Sequence, residues 1–77
     1  MKFEFDQAKL RHGMMARGLT QQELARLASV DPITVASALK GRAVSMVTAT
    51  RIANALRFHP PLPELEAFLP DPPGAVR

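Results

Sequence analysis

The sequence contains no cysteine, tryptophan or tyrosine. Without cysteine the chain cannot form a disulfide, a thiolate zinc site or a cysteine nucleophile. Its only aromatic residues are four phenylalanines, which are too few for a platform that stacks single-stranded bases on several rings. A chain of 77 residues therefore has to stabilise one compact domain by packing alone.

Long apolar runs are also missing, and the N-terminal stretch MKFEFDQ carries acids where a signal peptide needs apolar residues. The chain is therefore expected to be soluble and cytoplasmic, with no membrane partner. Hydrophobic residues make up 47% of the sequence and charged residues 22%, a balance typical of globular domains. This composition argues against disorder over most of the chain.

Residues suited to catalysis or metal binding are scarce. His12 and His59 are the only imidazoles, and neither has a carboxylate or second histidine at a metal-ligand spacing. The stretch GMMARGLT at residues 13–20 imitates a phosphate-binding loop, but Leu19 stands in place of the essential lysine and no strand precedes it. No serine lies in a nucleophile elbow. We therefore expect no enzyme activity, no catalytic residue, no metal and no cofactor.

Charge is divided unevenly along the chain. Residues 1–57 contain nine Lys or Arg and four acids, a net charge of +5, whereas residues 58–77 contain one Arg and three acids, a net charge of −2. A basic body favours a polyanionic partner such as nucleic acid. A solvated basic surface would give the same pattern, so charge alone leaves both interpretations open.

Apolar residues recur at helical spacing in five segments, and no alternating pattern lasts long enough to predict a strand. The predicted fold is therefore all-α, with residues 1–69 forming one domain and the Pro-rich residues 70–77 a mobile tail. Candidate N-caps are Asp6, Thr20, Asp31 and Ser45. Helices are predicted from about Asp6 to Arg17, Thr20 to Ala28, Pro32 to about Lys40, Ser45 to before His59, and Pro63 to Leu69.

Three glycines bear on the first and third helices. Gly18 and Gly41 stand where these helices are expected to end. Gly13 lies inside the first helix, where glycine costs roughly 1 kcal/mol relative to alanine. We expect another backbone to approach closely there.

The apolar stripe of each helix predicts the core. In the short fifth helix and the residue before it, four large side chains are available for burial. The predicted core residues are Leu10, Met14, Leu24, Leu27, Ala28, Val35, Ala36, Leu39, Val47, Ala49, Ile52, Ala53, Leu56, Leu62, Leu65, Phe68 and Leu69.

The most informative segment is LTQQELARLASVDPITVASALKG, residues 19–41. Its capping box and its Asp-Pro start define two short helices joined by a turn of three to four residues, and the second helix begins at an exposed end. This arrangement is a helix-turn-helix, whose second helix can enter the major groove of DNA.

In these segments the chain resembles the phage-repressor, Cro-like helix-turn-helix proteins of the XRE type, over residues 10–56. The most specific segments are LTQQELA at residues 19–25, VDPITVASALKGR at 30–42, and S-x-x-T-x-x-R-I-A-x-A-L at 45–56. The resemblance implies a compact five-helix, lambda-repressor-like domain that binds operator DNA as a dimer.

The resemblance also implies a set of DNA contacts. Three residues fall where the family faces base edges: Pro32, Ile33 and Ser37. Six fall where it contacts phosphates: Gln21, Thr34, Lys40, Arg42, Val44 and Ser45. Gln21, Lys40 and Arg42 also have a plainer interpretation, because an exposed capping-turn residue or a cation at a helix end needs no ligand.

Two departures from the family pattern stand out. Where the family often pairs an arginine in the first helix with a glutamate near the end of the recognition helix, this chain has Met14 and Leu39, which are expected to touch in the core. The base-facing residues also lack the bidentate groups that read bases well. Specificity is therefore expected to depend on thymine methyl contacts and DNA shape.

Together these features predict a small, repressor-like transcriptional regulator that binds double-stranded DNA as a homodimer. The fourth and fifth helices, with Leu65, Phe68 and Leu69, are the expected dimer surface, unless they close the core against Phe3 and Phe5. The alternative is an antitoxin or adaptor that uses the same scaffold to bind a protein such as a toxin. A DNA-binding fragment of a larger assembly is a further alternative, which the Pro-rich end disfavours.

Overall fold

The computed structural model of the protein describes residues 1–69, so the predicted mobile tail at residues 70–77 lies outside the described part. Five helices and one small sheet make up the described chain, and the all-α prediction is confirmed. The elements are β1 (Lys2–Phe3), α1 (Gln7–Arg17), α2 (Gln21–Ala28), α3 (Pro32–Leu39), β2 (Val44–Ser45), α4 (Met46–Arg57) and α5 (Pro63–Glu66).

The expectation that the chain has no strand was wrong. β1 and β2 pair antiparallel, with Lys2 opposite Ser45 and Phe3 opposite Val44. Strands of two residues are too short to show an alternating pattern, which is why the sequence did not indicate them. The pairing ties the N-terminal segment to the residues that lead into α4.

Helices α1 to α4 begin at side-chain caps, as predicted. In α2 the Thr20 hydroxyl accepts from the Glu23 amide at 3.1 Å, and the Glu23 carboxylate accepts from the Thr20 amide at 3.0 Å. The hydrogen bond that the Glu23 carboxylate accepts from the Thr20 amide is the main cause of its lowered pKa, because this bond favours the charged form. The other side-chain caps are Asp6 for α1, Asp31 for α3 and Ser45 for α4.

The first three helices all end in Schellman motifs, in which the last amides turn back onto helix carbonyls. The residue in the left-handed conformation is Gly18 after α1, Ser29 after α2 and Gly41 near the end of α3, with φ of 66°, 57° and 76°. After α2 the amide of Val30 donates to Ala25 at 3.0 Å. Ser29 is the one non-glycine residue with positive φ in residues 1–69.

Replacement of Ser29 by glycine should stabilise the protein by about 0.5 to 1 kcal/mol. The left-handed conformation costs a side-chain-bearing residue roughly 1 to 2 kcal/mol, and the greater backbone freedom of unfolded glycine offsets only part of that gain. Chemical denaturation followed by circular dichroism measures the change. The matched control is Ser37→Gly inside α3, where the same replacement should destabilise by about 0.5 kcal/mol. Equal effects at the two sites would contradict the argument.

The core lies between α1, α2, α3 and α4, and eight of the seventeen predicted members are buried there. Its largest fully buried side chains are Leu24, Val35 and Ile52. Within residues 1–69 no polar or charged side chain is buried. The other buried apolar residues are Leu10, Met14, Ala16, Ala25, Ala28, Ala38, Leu39, Val44, Ala49 and Ala55.

Several core predictions were wrong. Leu27 of α2 and the α4 residues Val47 and Ala53 are exposed, since each lies about 100° or more around its helix from the centre of the buried stripe. Ala36 and Leu56 are only half-buried. Because these residues are apolar, the sequence pattern counted them as part of the buried face of each helix. The neighbouring helices cover a narrower face than that.

The fifth helix is shorter than predicted and buries little. It ends at Glu66. The residue before it contacts the end of α1, where the Leu62 amide donates to the Ala16 carbonyl at 2.9 Å. Leu62, Leu65 and Phe68 are exposed, and only Leu69 is half-buried. One helical turn presents too little surface to cover four large side chains.

The expected backbone approach at Gly13 was also wrong. Among residues 1–69, a Cβ there would meet only the side-chain ends of Arg17 and Leu56, at the ordinary contact distances of 3.6 and 3.8 Å. Nothing in the structure explains a glycine at this position.

None of the helices in residues 1–69 is long and apolar enough to cross a membrane.

Candidate nucleic-acid interface

α3 divides its surface between the core and the outside. Val35, Ala38 and Leu39 are buried. On the opposite side Ile33, Ser37 and Lys40 follow one another at i, i+4 and i+7, so they form one line along the helix. Ile33 at the start of this line is 75% exposed, although it is an apolar residue in a well-packed motif.

The start of α3 is held firmly by its cap. The Asp31 carboxylate accepts from the Ile33 amide at 2.8 Å, and Pro32 occupies the first turn with its φ already set for a helix. The turn before it is fastened by Arg51 of α4, whose guanidinium donates to the Ser29 carbonyl at 3.3 Å. Ile33 and Lys40 are exposed and Ser37 is half-buried, and a rigid element therefore presents this line.

The other end of α3 carries the cations of the predicted site. Lys40 and Arg42 are both exposed and flank Gly41. The Arg42 amide donates to the Ser37 carbonyl at 3.0 Å, which fixes the backbone from which the Arg42 side chain extends. Both positive groups lie where the carbonyl end of the helix dipole favours a cation.

The start of α2 lies beside the end of α3. Gln21, the first residue of α2, lines a groove together with Leu39 of α3 and with Met14 and Arg11 of α1. Gln21 itself is exposed, and the first amides of a helix are a favourable site for an anion. The structure thus brings the predicted phosphate residue of α2 to the same side of the domain as the end of α3.

The remaining predicted phosphate residues differ in what they can offer. Thr34 is half-buried, and Ser45 is exposed, but its hydroxyl already accepts from the Thr48 amide at 3.1 Å and donates to the Thr48 hydroxyl at 3.0 Å. Val44 is buried in the core cluster from β2, so only its main chain is available for a ligand.

Met14 and Leu39 are both buried and belong to the same core cluster, which confirms that this pair is packed in the core. Beside them Arg11, which sequence reasoning missed, donates to the Leu39 carbonyl at 3.4 Å and so fastens the end of α3 to α1. The two residues are 28 positions apart, and no local pattern in the sequence links them.

The few residues suited to catalysis or metal binding do not form a cluster within residues 1–69. His12 is half-buried in α1, and His59 is exposed after α4. In residues 1–69 no three His, Cys, Asp or Glu side chains come together as a metal site requires.

Comparison with protein families matches residues 10–62 to one described as helix-turn-helix. The match includes α1 to α4 apart from the first residues of α1, and therefore the whole candidate interface. No curated protein and no solved structure matches the chain. Because the match spans more than half of the 77 residues, the chain belongs to the helix-turn-helix family of DNA-binding regulators.

Proposed function

We propose that the protein is a transcriptional repressor that binds a specific duplex sequence as a homodimer. The observation that carries this proposal is the line of Ile33, Ser37 and Lys40 on the outer side of the second motif helix, in which Ile33 and Lys40 are exposed and Ser37 is half-buried. That helix is the one that enters the major groove in helix-turn-helix proteins.

Phosphate binding would position the domain on the duplex. Lys40 and Arg42 supply charge at one end of α3, and Gln21 supplies an amide side chain at the start of α2. Thr34 and Ser45 add hydroxyl groups, whereas Val44 would act through its backbone. Such contacts fix register and orientation and account for most of the affinity, but they carry no sequence information.

Sequence would be read by Pro32, Ile33 and Ser37. The aliphatic Ile33 side chain suits the thymine methyl group, and the Ser37 hydroxyl accepts or donates without distinguishing strongly among bases. None of the three makes a bidentate contact. Discrimination should therefore be modest, toward the low end of the roughly 1 to 3 kcal/mol usual per mismatched base pair.

Ile33→Ala should remove the preference for thymine at one position and leave non-specific affinity nearly unchanged, because a methyl contact releases no counterion. The measurement is competition between operators that carry thymine or uracil at that position, which differ only in the methyl group. Wild-type protein should favour thymine, and the variant should bind both equally. Equal binding of both by wild-type protein would show that Ile33 does not read the groove.

Homodimer formation follows from the small size of the reading surface. One short helix contacts few base pairs, and two copies on a two-fold operator double the contacts and make the second binding event intramolecular. A dimer bound over a promoter would block transcription by occlusion.

The decisive experiment is selection of bound sequences from random duplex DNA, with stoichiometry and salt dependence measured on the selected site. We expect two chains per site, a two-fold symmetric sequence and an affinity that falls steeply with salt. If no duplex binds in a salt-sensitive way, the protein acts instead as an adaptor or antitoxin. Phe58 and Phe68, both well exposed, would then be the first residues to test for a protein partner.

A further inference from the structure

The small sheet has an open edge. Its strand order is β1-β2, and no other strand of residues 1–69 pairs with the outer edge of β1. An unpaired edge presents amides and carbonyls to any strand that can align with it. The chemistry of the residues around β1 decides which strand fits.

One side of this N-terminal segment is apolar and incompletely covered. The rings of Phe3 and Phe5 meet edge to face with centroids 4.8 Å apart, and they line a groove with Met46 and Ala53 of α4. Phe3 remains 40% exposed, and Met46 and Ala53 are also exposed. The open edge of β1 therefore lies beside an apolar surface that a second strand and its side chains would cover.

The other side of the segment carries charges of both signs, placed symmetrically. Lys2 precedes Phe3 and Glu4 follows it, and both are exposed. A two-fold axis through Phe3 would place Lys2 of one copy opposite Glu4 of the other, and the same pair would form again on the far side of the axis. Cross-strand pairs of opposite charge stabilise antiparallel strands, whereas like charges directly opposite destabilise them.

We propose that β1 pairs antiparallel with β1 of a second copy, centred on Phe3, to form a continuous four-stranded sheet in the order β2-β1-β1-β2. The occupant is a second copy because the segment is complementary to itself: apolar residues 1, 3 and 5 face apolar residues, and each charge faces its opposite. The proposal rests on the proposed homodimer and assigns its surface to β1 rather than to α5.

Charge reversal tests this pairing directly. Lys2→Glu leaves two acids that face one another across the axis, and Glu4→Lys leaves two bases, so each variant should weaken self-association about tenfold. An equimolar mixture of the two variants should recover wild-type affinity, because each charge then faces its opposite. Sedimentation equilibrium without DNA, at low salt and over a concentration series, measures all four samples.

The two variants change net charge in opposite directions, so a general charge effect cannot weaken both. Thermal unfolding by circular dichroism checks that both variants remain folded. Recovery in the mixture supports the proposal, whereas dimers unaffected by either variant would overturn it and assign the interface elsewhere. A wild-type protein that stays monomeric without DNA would also overturn it, and salt-sensitive DNA binding by that monomer would leave the proposed DNA-binding function standing.

Discussion

Leu39→Ala is expected to lower the free energy of unfolding by about 2 to 5 kcal/mol. Leu39 is 3% exposed and shares the core cluster with Met14, so truncation removes buried methyl groups and leaves a cavity that the rigid helices fill only in part. A chain of 77 residues has a total stability of roughly 4 to 12 kcal/mol. Urea denaturation followed by circular dichroism should show a large fall in the transition midpoint.

Leu27→Ala is the matched control. It removes the same atoms from the same motif, but Leu27 is 41% exposed and lies beside the buried stripe of α2. The loss there should be about 1 kcal/mol, because less apolar surface returns to water and no enclosed cavity forms. Similar losses in the two variants would contradict the burial on which the first expectation depends.

Local interactions are the part of this fold that the sequence predicts well. The four side-chain caps act within three residues of the chain, and the structure contains all of them. Gly18 and Gly41 mark left-handed helix ends in the same way. Ser29 takes the same conformation without glycine, because the packing of α2 against α3 sets the turn.

Contacts between distant residues account for most of what the sequence does not predict. Arg17 donates to the carbonyls of Leu56 and His59 at 2.9 and 2.6 Å, across 39 and 42 positions of the chain, and fastens the end of α4 to α1. The β1 and β2 pairing likewise joins segments that lie far apart. Neither interaction produces a periodic pattern, and both depend on the assembled helices.

In the candidate interface, too, local features follow from the sequence, whereas features that depend on distant contacts do not. The helical period alone places Ile33, Ser37 and Lys40 on one side of α3, and the structure leaves that side open. Val44 has no such local signal. Its burial follows from the pairing of β2 with β1, which turns its side chain into the core. The resemblance to repressors predicts a phosphate contact at Val44, and the structure shows that only its main chain is available for one.

The double variant Lys40→Ala, Arg42→Ala should lower affinity for every duplex, specific or not, by about a hundredfold at 0.1 M salt. When one phosphate contact is lost, about one more counterion stays on the DNA, and at this salt concentration the affinity falls about tenfold. The slope of log affinity against log salt should become shallower by about two for the double variant. Fluorescence anisotropy titrations over a range of salt concentrations measure both quantities. Relative preference among sequences should stay the same, because phosphate contacts do not distinguish bases.

Arg57→Ala provides the control for loss of a cation. Arg57 is exposed at the far end of α4, about 18 Å along the helix from Ser45, and its guanidinium lies 5.7 Å from the centre of the Phe58 ring. This distance exceeds the Debye screening length at 0.15 M salt. Removal of the Arg57 charge should therefore leave the salt dependence of DNA affinity nearly unchanged. If Arg57→Ala reduces the slope as much as the loss of Lys40 or Arg42 does, binding follows the net charge of the domain, and the end of α3 is not a phosphate site.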